Sequence, residues 1–362
     1  MNPSETNRLP RSHVLLRILV LIGLISLAAS VGCRRGSSGS GEYVYVSVPQ
    51  ANLRDRVAAV YNKVGMVKSG ERLEVLERQK RFLRVRTDRK EEGWLEQRFT
   101  ITEDVFKNFQ KLDSDSRDLP VQGKGITRAP LNMHLAPSRD ADALYQLNEA
   151  EKVDVLKRAT SERAPKQGPP PTAKVKGKDA TPQEPVKQYD DWWLVRSSTG
   201  HYGYVLARMI DLEIPLDIAQ YAEGQRIQGA FVLNEVDDGD KKVPQYLVLL
   251  SEPRDGMPFD YSQARVFTWN VKKHRYETAY RERNFLGFFP VRVGTESFDK
   301  EGVLPTFTLR VQMENGQIAD RKYKLNNPIV RRVVAPGEEQ NKAATLTKVE
   351  KSGKASKPGR RR

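Results

Sequence analysis

A chain of 362 residues, 38% of them hydrophobic, holds apolar material for two or three separate cores rather than one. The formal charge is +15, but much of the excess lies in Arg8, Arg11 and Arg17 and in the closing run Lys354, Lys357, Arg360, Arg361 and Arg362. It reads as diffuse attraction to anionic surfaces, not as a nucleic-acid-reading face, and the one cysteine, Cys33, excludes an intrachain disulfide.

From the amino terminus, the three arginines precede an apolar stretch, Ile18 to Ala29, followed by Ser30, Gly32 and Cys33. The stretch falls within the range of about 7–15 residues of a secretory h-region, short of the roughly 20 that cross a bilayer as a helix. Residues 1–32 are predicted to be a signal peptide that exports the chain. Residues 33–42, "CRRGSSGSGE", form a polar Gly/Ser tether. This arrangement resembles a bacterial lipoprotein signal, although Ser30 stands where that family prefers leucine. The resemblance implies cleavage before Cys33 and attachment of diacylglycerol to its thiol, so that membrane lipid is a partner through Cys33. Ordinary cleavage near Ala28–Ser30, leaving a free thiol, and an uncleaved anchor are the other readings.

Residues 43–100 alternate short β-like runs, "YVYVSV", "RLEVLER", "FLRVRT" and "GWLEQRF", with breaks at Pro49, Ser69-Gly70 and Gly93. Period-two alternation puts Leu73 and Val75 on one face, with Phe82, Leu83 and Val85 on the facing strand. A small five-strand barrel is expected. In residues 101–122, Val105, Phe106, Phe109 and Leu112 recur at helical spacing behind Thr102, which predicts a short connecting helix.

Residues 123–212 repeat the first unit. Asn52, Leu53, Leu73 and Val75 reappear as Asn132, Met133, Val153 and Val155 at an offset of 80, and Val85, Gly93 and Trp94 as Val195, Gly203 and Tyr204 at an offset of 110. The 30-residue difference falls in 160–188, rich in Pro, Lys and Gln, whose composition predicts a disordered loop between two strands. Residues 213–336 open with a helical turn or two in "PLDIAQYAEG" and continue as β-like segments, with Asn315-Gly316 as a hairpin turn. An all-β sandwich or barrel-like domain is expected there, followed by a disordered basic tail, 337–362.

The Asn52-Leu53-Arg54 start, Ser69-Gly70 before the central strand and the Gly93-Trp94 close resemble the bacterial Src-homology-3-like (SH3b) domain. In the second copy Asn132, Met133, Pro137, Trp193, Val195, Gly203 and Tyr204 match, whereas His134 replaces the arginine and Ala150 the glycine. The fold class is thus mainly β: two small SH3-like barrels, then an all-β domain. The resemblance implies recognition of peptides, cell-wall polymer or partner domains; no family suggests itself for the third unit.

Catalytic and metal patterns are sparse. His134, His201 and His274 are more than 60 residues apart, and H-E-x-x-H, G-x-S-x-G and G-x-G-x-x-G are absent. No metal or cofactor is expected. Asp190-Asp191 and Asp237-Asp238 lie in predicted turns, where Asp is favoured for its local hydrogen bonds. The candidate ligand-binding residues are aromatic: Trp192, Trp193, Tyr202 and Tyr204 on adjacent strands, with Arg196 or Arg208 beside them. Alternation sends one tryptophan outward, where it could stack on a proline or a sugar ring, and core packing is the competing reading. In the third unit Trp269, Tyr276, Tyr280 and Phe285 interleave with Lys272, Lys273, Arg275, Arg281 and Arg283, read as a two-faced strand pair with solvated charges and not as a specific nucleic-acid patch. The expected function is a non-catalytic envelope binding or scaffold protein. The alternative is a hydrolytic or other enzyme with its site in the third unit.

Overall fold

The computed structural model describes residues 41–57, 62–163, 187–334 and 343–346. The predicted signal peptide, Cys33, and most of the tether, insertion and tail lie outside the described residues. The chain is mainly β, in three antiparallel seven-stranded sheets. The described residues form two compact units, one of residues 41–44, 52–65 and 72–97, the other of the remaining described residues.

The first sheet comprises β1 (Tyr43–Val46), β2 (Gln50–Arg54), β3 (Lys63–Lys68), β4 (Arg72–Gln79), β5 (Phe82–Thr87), β6 (Glu92–Glu96) and β7 (Thr100–Thr102), in the order β3-β2-β6-β5-β4-β1-β7. Its alternation works as the sequence predicts. Leu73 and Val75 of β4 and Leu83 and Val85 of β5 are buried, with Leu53 and Leu95 beside them.

After α1 (Glu103–Ser116), the second sheet comprises β8 (Gly123–Thr127), β9 (Leu131–His134), β10 (Ala143–Leu147), β11 (Lys152–Glu162), β12 (Tyr189–Ser197), β13 (Tyr202–Leu206) and β14 (Ile210–Leu212). Its order, β10-β9-β13-β12-β11-β8-β14, reproduces the first sheet strand for strand. Local irregularities coincide as well. A bulge falls between Val75 and Glu77 where β4 meets β5, and another between Val155 and Lys157 where β11 meets β12. Val75 pairs with Val85, and Val155 with Val195. Gly93 and Gly203 occupy equivalent crossings, where an added Cβ would lie 2.8 Å from the Leu53 side chain and 2.7 Å from that of Met133.

Neither sheet closes into a hydrogen-bonded barrel, because each order ends on two unshared edges. In the second sheet β11 pairs with β12 along nearly its whole length but gives only Lys152–Val155 to β8. The helix begins where Thr102 suggests: its side chain accepts from the Val105 amide at 3.4 Å, and Phe109 is fully buried.

The insertion begins later than its composition indicates. Thr160, Ser161 and Glu162 remain in β11, paired with Asp191, Asp190 and Tyr189. Two side-chain bonds fix this polar end: Ser161 Oγ accepts from Trp192 Nε1 at 2.9 Å, and Thr160 Oγ donates to Asp191 at 3.0 Å.

The third sheet is a meander in chain order: β15 (Arg226–Asp238), β16 (Lys241–Ser251), β17 (Tyr261–Asn270), β18 (Arg275–Phe298), β19 (Gly302–Gln312), β20 (Ile318–Asn326) and β21 (Ile329–Val333), preceded by α2 (Leu216–Ala219). The Asn315-Gly316 turn joins β19 to β20, with Gly316 at φ +84°. One face shares a core with the second sheet: Leu247, Val266, Phe307 and Leu325 belong to the same buried cluster as Met133, Val155, Trp193 and Val205. On the other face Ile218 of α2 packs with Tyr246, Val248, Leu250, Phe267 and Tyr276. The predicted tail also differs. Ala343 and Thr345 form bridges with Met313 and Phe285, and Ala344 is buried beside Met257, Phe259 and Leu286. Ala344 and Leu346 pack with that cluster, within a stretch whose Lys- and Glu-rich composition obscures them.

Candidate binding site

Strand β12 carries most of the residues singled out in the sequence, and it is covered on both faces. Trp192 is 1% exposed and Trp193 3%. Trp192 meets His134 edge-on at 5.5 Å, and Trp193 faces Phe289 of the third sheet at 6.0 Å. The expectation of one outward tryptophan is corrected: with the third sheet packed on one side and the β9–β10 connection on the other, alternation leaves no solvent face. Tyr202 is buried against Leu156 and Leu194, and Tyr204 packs partly buried against the same cluster. Burial pushes the Tyr204 hydroxyl above its ordinary pKa. Arg196 is committed to Asp154, at 2.6 and 3.1 Å. These residues build the interior and offer no open stacking surface.

The two aspartates at the start of β12, expected in a turn, lie within the strand and are buried, each held by arginine. Asp191 is the centre of a lock between the second and third sheets. Arg158 Nη2 and Nε reach its carboxylate at 2.8 and 3.3 Å, while Nη1 donates to the carbonyls of Met257 at 3.2 Å and Phe259 at 2.7 Å. The Gly256 amide donates to Asp191 at 3.0 Å. Asp260, beside Arg158 at 3.4 Å, accepts from the Phe289 amide at 2.7 Å, and its pKa is raised by burial. Gln122 completes the junction, its side chain accepting from the Val291 amide at 2.7 Å and donating to the Val291 carbonyl at 3.3 Å. It replaces the ladder partner that Val291 loses where β18 departs from β19 between Phe288 and Arg292.

Asp190 is arranged differently, with its arginines reaching solvent. Arg139, from the β9–β10 connection, forks onto it at 2.7 and 3.0 Å; Arg163, just past β11, at 2.5 and 3.3 Å; Arg208, after β13, touches it at 3.2 Å. Hydrogen bonding from Arg139, then Arg163, holds the Asp190 carboxyl well below the usual range, so it is ionised at any ordinary pH. The side chains of Arg139 and Arg208 are 44% and 48% exposed and that of Asp190 2%. Three cations therefore surround one buried anion, so this group of four side chains carries a formal surplus of two positive charges. Arg208 also lines a cleft of about 430 Å³, shared with Trp193, Ile210, Arg226 and Asp255.

Of the arginines in this cluster the sequence picked out only Arg208, and it placed Asp190 in a turn. Arg139 and Arg163 come from different segments, and the sequence gives no period that brings them to Asp190. The remaining expected chemistry is structural: His201 stacks on Tyr145 with ring centres 3.7 Å apart, and Asp238 accepts from Trp269 and from His274, each at 2.8 Å. Burial pushes the Tyr145 hydroxyl up to about 12. In the third sheet Phe285 is core and Trp269 packs edge-on against Tyr276, so that stretch presents its charges and not its rings.

The family model of the bacterial SH3 domain matches residues 49–100. No curated protein matches the chain. Among solved structures it is similar to NlpC2 from Trichomonas vaginalis, at 9% identity over 80% of this chain and 97% of that one, with a TM-score of 0.16. It is also similar to an NlpC/P60 family protein from Bacillus cereus, at 10% identity over 84% and 99%, with a TM-score of 0.21. Overlaps of that quality assign no activity. Residues 49–100 of this chain are a bacterial SH3 domain.

Proposed function

We propose that this chain is a non-catalytic binding or scaffold protein of the bacterial envelope, that its second sheet is a further SH3-like module, and that this module recognises an acidic cell-wall polymer. The observation that carries the reading is the cluster of Arg139, Arg163 and Arg208 about Asp190, a solvent-facing surplus of guanidinium on a module whose strand order matches that of the SH3 domain. Guanidinium forks suit carboxylate and phosphate oxygens, the groups that an anionic wall polymer displays. Burial of Trp192, Trp193 and Tyr202 argues against ring stacking as the mode of recognition.

Export and acylation of Cys33 belong to the same proposal, since they would deliver the module to the envelope and hold it at the membrane surface. Retention of the purified chain on isolated cell-wall sacculi at physiological salt tests the binding. Retention that falls as salt rises supports it, whereas none at any salt points to a protein ligand. Replacing Cys33 with Ala should move the protein from the membrane fraction to the soluble one; unchanged fractionation would remove lipidation.

A further inference from the structure

A second arginine cluster lies in the third sheet and does not depend on the reading above. Arg265 of β17 and Arg281 of β18 are direct cross-strand partners, and Arg283, two residues on, shares the Arg281 face. Like charges placed opposite one another weaken a sheet. Burial aggravates the cost, for the Arg265 side chain is only 3% exposed. Its Nη1 donates to the Tyr221 carbonyl at 2.8 Å and its Nη2 to Thr278 at 3.1 Å, while its Nε is buried with no hydrogen-bond partner.

One carboxylate answers all three. Glu223 Oε1 accepts from Arg265 at 3.0 Å and Arg281 at 2.9 Å, and its Oε2 lies 3.5 Å from Arg283. Glu223 is 52% exposed and sits at φ +52°, a left-handed conformation unfavourable for a residue with a Cβ. It ends the segment anchored by fully buried Ile218, which sets it over the cluster. Burial, and then Arg281, pull the Arg265 pKa down, as expected of a guanidinium short of counter-charge.

We propose that Arg265, Arg281 and Arg283 form a cradle for a phosphoryl group, occupied in this state by the Glu223 carboxylate as a built-in substitute. Three guanidiniums exceed what one carboxylate can neutralise. A phosphoryl group brings three acceptor oxygens and nearly two charges to the same donors. Glu223 is the displaceable element, because it stands at the left-handed end of a short helical turn with its side chain half in solvent, and among the described residues its carboxylate is engaged by these three arginines.

The test uses the full chain with Glu223→Gln, and with Glu223→Gly as a second variant that vacates the cradle while relieving the left-handed backbone. Orthophosphate binding is followed by calorimetry and by the thermal midpoint, with chloride at matched ionic strength as control. Both variants should bind orthophosphate about tenfold or more tightly than the parent, and adding Arg283→Gln should remove about tenfold of that gain. Equal affinity in parent and variants, or a midpoint shift that chloride reproduces, would overturn the proposal and leave an ordinary structural ion cluster. Flotation of the Glu223→Gly chain, also carrying Cys33→Ala, on phosphatidylglycerol against phosphatidylcholine vesicles identifies the source of the group. Preferential flotation supports a lipid headgroup, and orthophosphate binding without flotation supports a soluble phosphate.

Discussion

Arg158 and Asp191 give the most direct measure of what joins the second and third sheets. Both side chains are buried, at 4% and 3% exposure. Replacing Arg158 with Met leaves the Asp191 carboxylate with only the Thr160 hydroxyl, the Gly256 amide and Arg226 at 3.6 Å, and strips the Met257 and Phe259 carbonyls of their donor. Breaking such a pair from one side costs about 3–5 kcal/mol. Asp191→Asn leaves the guanidinium buried beside Asp260 alone and costs about 2–4 kcal/mol by the same reasoning. Removing both charges leaves only Asp260, still bonded to the Phe289 amide, without its cation, so the double variant should recover about 2 kcal/mol relative to the sum of the singles. Urea unfolding, followed both by tryptophan fluorescence and by far-ultraviolet circular dichroism, supplies the three free energies. Coincidence of the two probes shows whether the sheets still unfold together. Single-variant costs that add within about 0.5 kcal/mol would refute the claim that the pair acts as one coupled lock.

Further outcomes follow from individual positions. Ala150 stands at φ +58°, where the equivalent residue of the first sheet is Gly70 at φ +79°; Ala150→Gly should raise stability by about 0.5–1 kcal/mol in equilibrium unfolding, and a loss would contradict the equivalence of the turns. Gly203→Ala would set a Cβ 2.7 Å from that of Met133, so a loss of about 1–3 kcal/mol or more is expected from thermal or urea unfolding. Asp190, with its folded pKa depressed by Arg139 and Arg163, contributes stability that is present above the unfolded carboxylate pKa and lost as pH falls below it. Asp190→Asn should therefore flatten the acid limb of the stability–pH curve, whereas an unchanged limb would assign acid sensitivity elsewhere.

The strand architecture was legible because its signals are local. Leu73, Val75, Leu83 and Val85 alternate as half-buried strands must, and the two offsets align bulge with bulge and Gly93 with Gly203. Ala150 departs from the glycine of the first copy, and its positive φ shows that the backbone shape is kept without the residue that suits it. What escaped was tertiary. Alternation assumes one wet face, and β12 has none because Phe289 and the third sheet cover it. Asp190 and Asp191 carry turn-favouring chemistry, yet arginines from distant segments hold them in a strand. Arg139, Arg163 and Asp190 lie far apart in sequence, so only the fold reveals the cluster they form with Arg208.

The central claim is that the arginine surplus around Asp190 binds an acidic wall polymer, and opposite charge changes in one assay test it. Retention of Arg139→Gln/Arg208→Gln and of Asp190→Asn on purified sacculi is measured across a salt series, with circular dichroism confirming that each is folded. The account predicts that the double arginine variant loses about tenfold or more in affinity and has a shallower salt dependence, while Asp190→Asn binds at least as tightly as the parent. Equal retention of all three chains, or weaker binding by the folded Asp190→Asn chain alone, would contradict it.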